Sequence, residues 1–208
     1  MRLIGVNGFK RSGKDTVADY LVNNMEMHRY AFADPIRAAA SGMFGLPLCR
    51  FEGDHRLREQ PDPYWGISPR RMLQLLGTEG GRKVFGDDLW IRRVQYEWEG
   101  MKREEKDRKG TGYATQGGMV VSDVRFVNEA EWIISEGGMI LRVVRPGTEP
   151  EVTGWKKILP RRWQELFIHE SERKLPDRLV TLTIDNSHAL GYLWDQIEYA
   201  WDHYKELV

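Results

Sequence analysis

The residues with the clearest chemical meaning form a glycine-rich loop near the start of the chain. Residues 8–16 read Gly-Phe-Lys-Arg-Ser-Gly-Lys-Asp-Thr and match the pattern G-x-x-x-x-G-K. The glycines let the backbone bend so that consecutive N–H groups point at phosphate oxygens. The lysine can then reach the β- and γ-phosphates and neutralise charge during transfer. The loop therefore predicts a P-loop that binds the phosphates of ATP.

One position of this loop departs from the usual pattern. The residue after the lysine is Asp15, where Ser or Thr is common, and Thr16 follows it. Asp15 could hold Mg²⁺ directly or through water, because hard cations favour carboxylate oxygens. Thr16 could instead contact an inner phosphate, and Lys10 and Arg11 are either solvated or phosphate ligands. We assign to ATP the residues Gly8, Lys10, Arg11, Ser12, Gly13, Lys14, Asp15 and Thr16.

Polar residues also follow other predicted strands. Asp123 and Arg125 come after residues 119–121, so Asp123 is expected to orient Mg²⁺ or the acceptor and Arg125 to bind phosphate as a fork. A capping aspartate with a surface arginine is the alternative. Asp34 is either the N-cap of a helix with Pro35 at its first position, or a carboxylate that positions the attacking phosphate oxygen. Arg37, one turn later, is a candidate ligand of the acceptor phosphate.

Further candidates lie in segments that could fold over the site. Arg70 and Arg82 are assigned to the acceptor phosphate. Trp65 sits in a polar loop, where it either stacks on a base or anchors the loop. Asn186, after the fifth predicted strand, borders the adenine of ATP or belongs to an ordinary turn.

These residues need a scaffold that brings strand ends together. Apolar runs predict strands at residues 3–6, 29–33, 119–121, 139–144 and 179–184. Helical spacing predicts helices at residues 14–25, from 34 onward, 69–84, 87–102, 128–136 and 189–207. Alternating strands and helices indicate an α/β fold with a five-stranded parallel sheet flanked by helices, in which ligands bind at the carboxyl ends of the strands.

We expect one P-loop domain over residues 1–208, with an acceptor-binding excursion at about 34–100 and a lid at about 146–176. Residues 45–69 are rich in proline, glycine and charge and predict a mobile surface segment.

Composition restricts the function classes. The 208 residues are 41% hydrophobic and 30% charged, which is typical of a globular protein. Basic and acidic residues number 31 each, which argues against stable nucleic-acid binding. No apolar run approaches the roughly 20 residues that cross a bilayer, so we expect a cytoplasmic protein. The single cysteine, Cys49, excludes an internal disulfide and is expected to be buried and inert.

Several segments together resemble the deoxynucleoside monophosphate kinases of tailed bacteriophages. They are residues 10–16, 73–79 with Arg82 and 88–90, 123–129, 169–172 and 184–186, so the resemblance covers most of the chain. It implies a nucleoside-monophosphate-kinase-like fold with lid segments, ATP and Mg²⁺ as cosubstrates, and a deoxynucleoside monophosphate (dNMP) acceptor. The role would be nucleotide supply for DNA synthesis, in the host cytoplasm if phage-encoded. It also implies that Asp15 is a family trait, that Asp15 and Asp123 serve the metal, and that Arg82 and Arg125 bind phosphate.

Two alternatives remain at this stage. The loop, the Ser-Asp-x-Arg segment and the later Glu-Ser-Glu are also similar to phosphomevalonate kinases of the animal type, although Leu-Gly-Thr-Glu, Arg82 and Trp90 favour the nucleotide branch. A non-catalytic ATP-binding protein would keep the loop without turnover. The accepted bases, the choice between ribose and deoxyribose, and a homodimeric state are left open.

Overall fold

The computed structural model describes residues 1–52, 55–108, 117–149 and 174–208. The chain divides into two compact units. The sheet unit comprises Met1–Tyr30 and Gly100–Val208, and the inserted unit comprises Ala31–Glu99. The predicted excursion at about 34–100 covers nearly the same residues as the inserted unit, and its role in acceptor binding stays a prediction.

The described elements follow in chain order, with short 3₁₀ turns at Leu48–Arg50 and Asp177–Leu179. They are β1 (Arg2–Asn7), α1 (Lys14–Met25), β2 (Met27–Tyr30), α2 (Ala33–Phe44), α3 (His55–Glu59), α4 (Pro69–Gln74), a π-helical stretch (Leu75–Arg82), α5 (Lys83–Phe85), α6 (Leu89–Arg108), β3 (Gly118–Val121), α7 (Val127–Ser135), β4 (Met139–Val144), β5 (Leu182–Asp185), α8 (Leu190–Asp202) and α9 (Tyr204–Leu207).

The five strands form one parallel sheet in the order β2-β3-β1-β4-β5. This confirms the predicted sheet. β1 and β4 are buried along nearly their whole length, as expected of strands covered on both faces. Because all strands are parallel, their carboxyl ends lie at one edge, where the loop after β1 begins.

Helices cover both faces of the sheet, as the sequence predicts. Ile4 and Val6 belong to a buried cluster with residues of α1 and α8, such as Leu21 and Ile197. Gly5 points to the opposite face because side chains alternate along a strand. A Cβ there would lie 2.7 Å from Ile133 Cδ1 of α7, so helix and strand pack too closely for a side chain.

The hydroxyl of Tyr204 accepts a backbone hydrogen bond from the first strand. The Leu3 N–H donates to Tyr204 Oη at 3.1 Å, and this hydroxyl donates to the Gly137 carbonyl at 2.7 Å. Burial raises the pKa of Tyr204, so the hydroxyl keeps its proton. The contact satisfies a buried backbone N–H that lies beside the start of β4.

The inserted unit has its own small core. Ala40, Phe51 and Met72 are fully buried in it. In the π-helical stretch, a Cβ on Gly81 would lie 2.6 Å from Trp90 Cζ2, and Trp90 Nε1 donates to the Gly77 carbonyl at 2.8 Å. The ring of Trp90 therefore packs against the wide helix, and it leaves no room for a side chain at Gly81.

Several predicted boundaries are wrong. β2 lies at Met27–Tyr30 rather than 29–33, because α2 begins at Ala33. β5 begins at Leu182 because a 3₁₀ turn occupies Asp177–Leu179. The final helix predicted at 189–207 is interrupted at His203.

The inserted unit also corrects three expectations. Residues 45–69 carry a 3₁₀ turn and α3, and Phe51 and Ile67 pack into the small core. Asp34 is not an N-cap, because α2 already begins at Ala33. Cys49 is exposed rather than buried.

In the part of the chain that the structure describes, no helix combines the length and the apolar character needed to cross a bilayer.

Candidate active site

At two positions, the backbone of the loop between β1 and α1 has a conformation that favours glycine. Gly8 has φ 151° and Gly13 has φ 102°, both in the region that L side chains rarely adopt. A Cβ on Gly8 would lie 2.5 Å from the Val143 carbonyl oxygen, and one on Gly13 would lie 2.2 Å from Asn186 Nδ2. The loop therefore passes close to the ends of β4 and β5, and both glycines of the sequence pattern are required.

Asn186 fixes the loop from the end of β5. Its Nδ2 donates to the Ser12 carbonyl at 2.8 Å, while its own N–H donates to the Val144 carbonyl at 2.9 Å. The predicted turn thus has a structural role in holding the loop. The predicted contact of Asn186 with adenine stays a prediction.

Ser12 presents a buried oxygen within this loop. Its side chain is fully buried, and its Oγ has no hydrogen-bond partner among the described residues. Buried polar atoms are nearly always hydrogen-bonded in native proteins. The Ser12 side chain lies beside Gly8, where an added Cβ would come within 2.6 Å of its Oγ.

The positive side chains of Lys14 and Arg125 lie near one another beside this loop. The half-buried ammonium of Lys14 donates to the Phe9 carbonyl at 3.3 Å. Burial, followed by the charge of Arg125, lowers the pKa of Lys14, and the carboxylates of Asp15 and Asp123 act in the opposite direction. The structure thus brings together four predicted site residues of the sheet unit, and the paired cations favour a bound anion.

The turn that carries Asp123 and Arg125 is held by a residue that sequence reasoning did not single out. Glu129 is 2% exposed, and its Oε2 accepts the N–H groups of Arg125 at 2.8 Å and Phe126 at 3.0 Å. It occupies the third position of α7, where glutamate commonly satisfies free N–H groups. Phe126 lacks the side-chain oxygen that marks a capping box in a sequence, so Glu129 carried no clear signal.

Asp15 is engaged by a second residue that was missed. Arg29 of β2 donates to Asp15 Oδ1 at 2.6 Å and to Asp19 Oδ1 at 2.5 Å. Within the described residues, no group of three or more His, Cys, Asp or Glu side chains is arranged to hold a metal ion. The assignment of Asp15 and Asp123 to Mg²⁺ therefore stays a prediction.

The charged candidates of the inserted unit have protein partners. Asp34 Oδ2 accepts the Ala31 N–H at 2.9 Å, and its Oδ1 accepts a hydrogen bond from Arg37 at 2.6 Å. Arg37 Nε is buried, with no partner in the described part of the chain. Arg70 pairs with Glu59 at 3.3 Å.

Arg82 and Trp65 are tied to backbone carbonyls. The buried Arg82 donates to the Asp87 carbonyl at 2.9 Å, and Trp65 Nε1 donates to the Phe44 carbonyl at 3.1 Å. Trp65 thus anchors its loop, and its predicted stacking on a base is untested. Residues 150–173 of the predicted lid lie outside the described residues.

The chain is similar to named proteins along most of its length. A family model for deoxynucleotide monophosphate kinases matches residues 2–45. A protein of Acanthamoeba polyphaga mimivirus, provisionally named a deoxynucleotide monophosphate kinase, is 33% identical over 74% of this chain and 79% of its own. The deoxynucleotide monophosphate kinase of Enterobacteria phage T4 is 25% identical over 95% of this chain and 98% of its own.

A solved dephospho-CoA kinase from Campylobacter jejuni aligns over 98% of this chain and 97% of its own, at 13% identity and a TM-score of 0.44. A likeness this low adds nothing to what the sequence relatives show.

Proposed function

This chain belongs to the deoxynucleotide monophosphate kinase family, and on that premise we propose that it transfers the γ-phosphoryl group of ATP to a deoxynucleoside monophosphate. The observation that carries the proposal is the 33% identity over 74% of the chain with a relative of that name. The phosphate-type loop between β1 and α1 supplies the chemistry such a transfer requires. These similarities favour the nucleotide acceptor over phosphomevalonate and over a non-catalytic role.

ATP is bound through its phosphates by residues 8–16. The positive φ angles of Gly8 and Gly13 and the crowding at both glycines support this, since a backbone that bends closely around phosphates requires residues without a side chain. Lys14 balances the charge that moves during transfer. Arg125 adds a second cation beside Lys14 and is proposed to contact the transferred phosphoryl group.

Mg²⁺ accompanies ATP in this proposal. The hard oxygen donors next to the loop are the carboxylates of Asp15 and Asp123 and the hydroxyl of Thr16, and such donors suit the ion. When bound, the ion neutralises charge on the β- and γ-phosphates. Because Mg²⁺ usually keeps several waters, a small number of protein ligands is sufficient.

The acceptor is proposed to be held by Asp34, Arg37, Arg70, Arg82 and Trp65, together with Asp123 and Arg125. Its phosphate is already nucleophilic, so the protein has to position it and neutralise charge rather than remove a proton with a strong base. The buried, unpaired Nε of Arg37 supports a role in anion binding.

The test is a turnover assay with purified protein, ATP, Mg²⁺ and each of the four common dNMPs, in which dNDP and ADP are separated by chromatography. We expect equal amounts of dNDP and ADP with at least one dNMP. A parallel reaction with phosphomevalonate should give no ADP above the control without acceptor. The proposal would be overturned if phosphomevalonate were phosphorylated and no dNMP were, or if no added acceptor were phosphorylated.

The viral relatives also lead us to propose that the reaction supplies nucleotides for DNA synthesis in the host cytoplasm. A homodimer remains a prediction that sedimentation of the purified protein would decide.

A further inference from the structure

Arg29 joins the first turn of α1 to the end of β3. Its three nitrogen groups donate to three different acceptors: one to Asp15 Oδ1 at 2.6 Å, one to Asp19 Oδ1 at 2.5 Å, and Nε to Ser122 Oγ at 3.3 Å. Asp15 and Asp19 lie one turn apart on α1, so one guanidinium spans both carboxylates. Ser122 precedes Asp123, so the same side chain also touches the turn that carries two candidate site residues.

The position of Asp15 raises an electrostatic problem for phosphate binding. The residue directly follows Lys14 at the start of α1, where the proposed ATP phosphates gather. Serine or threonine at this place brings no charge, but a carboxylate repels a polyphosphate. Because the Asp15 side chain is 76% exposed, water screens its charge strongly, and one uncompensated charge about 4 Å away then changes binding by roughly three- to tenfold.

A simpler reading has to be set against this problem. Acidic residues stabilise helix N-termini through the helix dipole, and an exposed ion pair contributes little to stability. Asp15 is 76% exposed and Arg29 is 36% exposed, so the pair fits that description. Under this reading, however, Arg29 has no influence on nucleotide affinity, and a binding experiment separates the two readings.

Resting on the proposed function, we propose that Arg29 is a positioning residue of the phosphate loop. While no Mg²⁺ is bound, Arg29 neutralises the Asp15 carboxylate and holds it against β2, so that the acidic residue after Lys14 does not repel ATP. Asp15 and Arg29 act as one unit. The loss of Arg29 exposes a repulsive charge, and the loss of both charges restores a neutral position.

The experiment measures ATP binding by calorimetry, without acceptor and with EDTA so that no metal takes part. Arg29→Gln should weaken binding by about three- to tenfold. The double variant Arg29→Gln with Asp15→Asn should return to within about twofold of the wild type. The defect of Arg29→Gln should also shrink as salt is raised, since exposed charges are screened. A purely structural defect would be neither rescued nor screened.

The matched control uses the other acidic partner of the same guanidinium. Asp19 lies one turn further from the loop, so Arg29→Gln with Asp19→Asn should remain as weak as Arg29→Gln alone. Rescue by Asp19→Asn equal to that by Asp15→Asn would overturn the proposal, because the effect would then be general surface charge. Affinity of Arg29→Gln equal to the wild type would also overturn it.

The single variant Asp15→Asn decides the question even if Arg29→Gln fails to fold in a melting experiment. The proposal expects Asp15→Asn to bind ATP in EDTA about two- to fivefold more tightly than the wild type, because Arg29 then acts without its nearest counter-charge. Unchanged or weaker binding would overturn the proposal. These measurements involve no dNMP, so a wild type that binds ATP but phosphorylates no dNMP would refute the proposed function alone.

Discussion

At the residue scale, Lys14 illustrates how a partly buried charge opposes folding. Burial, followed by Arg125, holds the pKa of the Lys14 ammonium below its ordinary value of 10.5. The folded protein therefore binds this proton less tightly than the unfolded chain does. The charge of Lys14 is thus destabilising in the protein without a bound anion.

Replacing Lys14 by methionine should separate stability from activity. We expect dNMP phosphorylation to fall by at least about a hundredfold, because a charge contact to the transferring group is lost. The free energy of unfolding should rise slightly at neutral pH, because the variant no longer buries a charged ammonium group. Turnover assays and urea unfolding of both proteins test this, and a variant that is both less stable and fully active would contradict it.

The pH dependence of that stability difference has a definite sign. Below the folded pKa of Lys14 the wild type carries the full penalty of its charge. Between the folded pKa and 10.5 the unfolded chain binds more protons, so the wild type gains stability relative to Lys14→Met as pH rises. Urea midpoints of the two proteins should therefore converge as pH approaches 10.5. A gap that widens would show that the charge is not destabilising.

Adding one methyl group at Gly13 tests whether the shape of the loop is needed for ATP binding. Gly13→Ala places a Cβ 2.2 Å from Asn186 Nδ2 in a backbone with φ 102°, so the loop must change shape. Such strain costs about 1–3 kcal/mol and should weaken ATP binding by more than tenfold. Gly137→Ala is the control, because φ is 71° there and no atom lies within 4 Å of the added Cβ. That variant should lose stability only.

At the scale of elements, α7 shows how a helix end fixes the turn that carries Asp123 and Arg125. The carboxylate of Glu129 accepts the N–H groups of Arg125 and Phe126, and Asn7 Nδ2 donates to the Val124 carbonyl at 2.8 Å. The turn is thereby held from α7 on one side and from β1 on the other. Arg125 beside Lys14 is a consequence of this bracing.

Glu129→Ala should therefore affect both folding and turnover. Two partly buried N–H groups lose their acceptor, which costs about 1–3 kcal/mol, and kcat should fall more than ATP affinity because Arg125 is misplaced. Glu131→Ala is the matched control on the same helix, since Glu131 is half exposed and pairs with Arg178 at 3.2 Å. Its effect should stay below about 1 kcal/mol. Equal effects of the two variants would refute the bracing role.

The elements also show where the sequence is informative. The apolar runs behind β1 and β4 and the helical spacing of α1 locate those elements, because burial on both faces leaves a clear pattern. β2 is misplaced because only Met27 and Tyr30 of its four residues are buried, while the apolar residues that follow belong to a turn and α2. Short half-exposed strands carry too little pattern to fix their register.

The candidate site, like the fold, can be predicted from the sequence only in part. The glycine-rich loop can be predicted because its residues are consecutive and each type has a backbone reason. The role of Arg29 cannot be predicted, because its partners lie 10, 14 and 93 residues away in the sequence. Nothing in the sequence distinguishes Arg29 from the other basic residues. The role of Asn186 toward Ser12, 174 residues earlier, is likewise decided by the sheet order.

At the scale of the whole molecule, each of the two units has a core of its own. The sheet unit encloses the cluster that includes Val17 and Ile197, and the inserted unit encloses Phe51 and Met72. The candidate phosphate loop belongs wholly to the sheet unit. ATP binding and phosphoryl transfer should therefore respond differently to damage in the two cores.

Phe51→Ala should cost about 3–5 kcal/mol in the inserted unit, as is typical of a fully buried phenylalanine. We expect dNMP phosphorylation to be lost while calorimetry still detects ATP binding. Ile197→Ala is the counterpart in the sheet unit and should weaken ATP binding and turnover together as the protein unfolds. Parallel loss of both properties in Phe51→Ala would show that the two units do not fold independently.

The hydroxyl of Tyr204 has a consequence for the order in which the chain folds. β1 occupies the middle of the sheet, yet the N–H of its Leu3 is satisfied by a side chain 201 residues later. During synthesis the earliest strand must wait until Tyr204 has left the ribosome before its hydrogen bonds are complete. Such distant closure makes folding slow and leaves unpaired strand edges open to aggregation in the meantime. Nascent chains halted before Tyr204 should therefore be far more sensitive to protease than chains released after it.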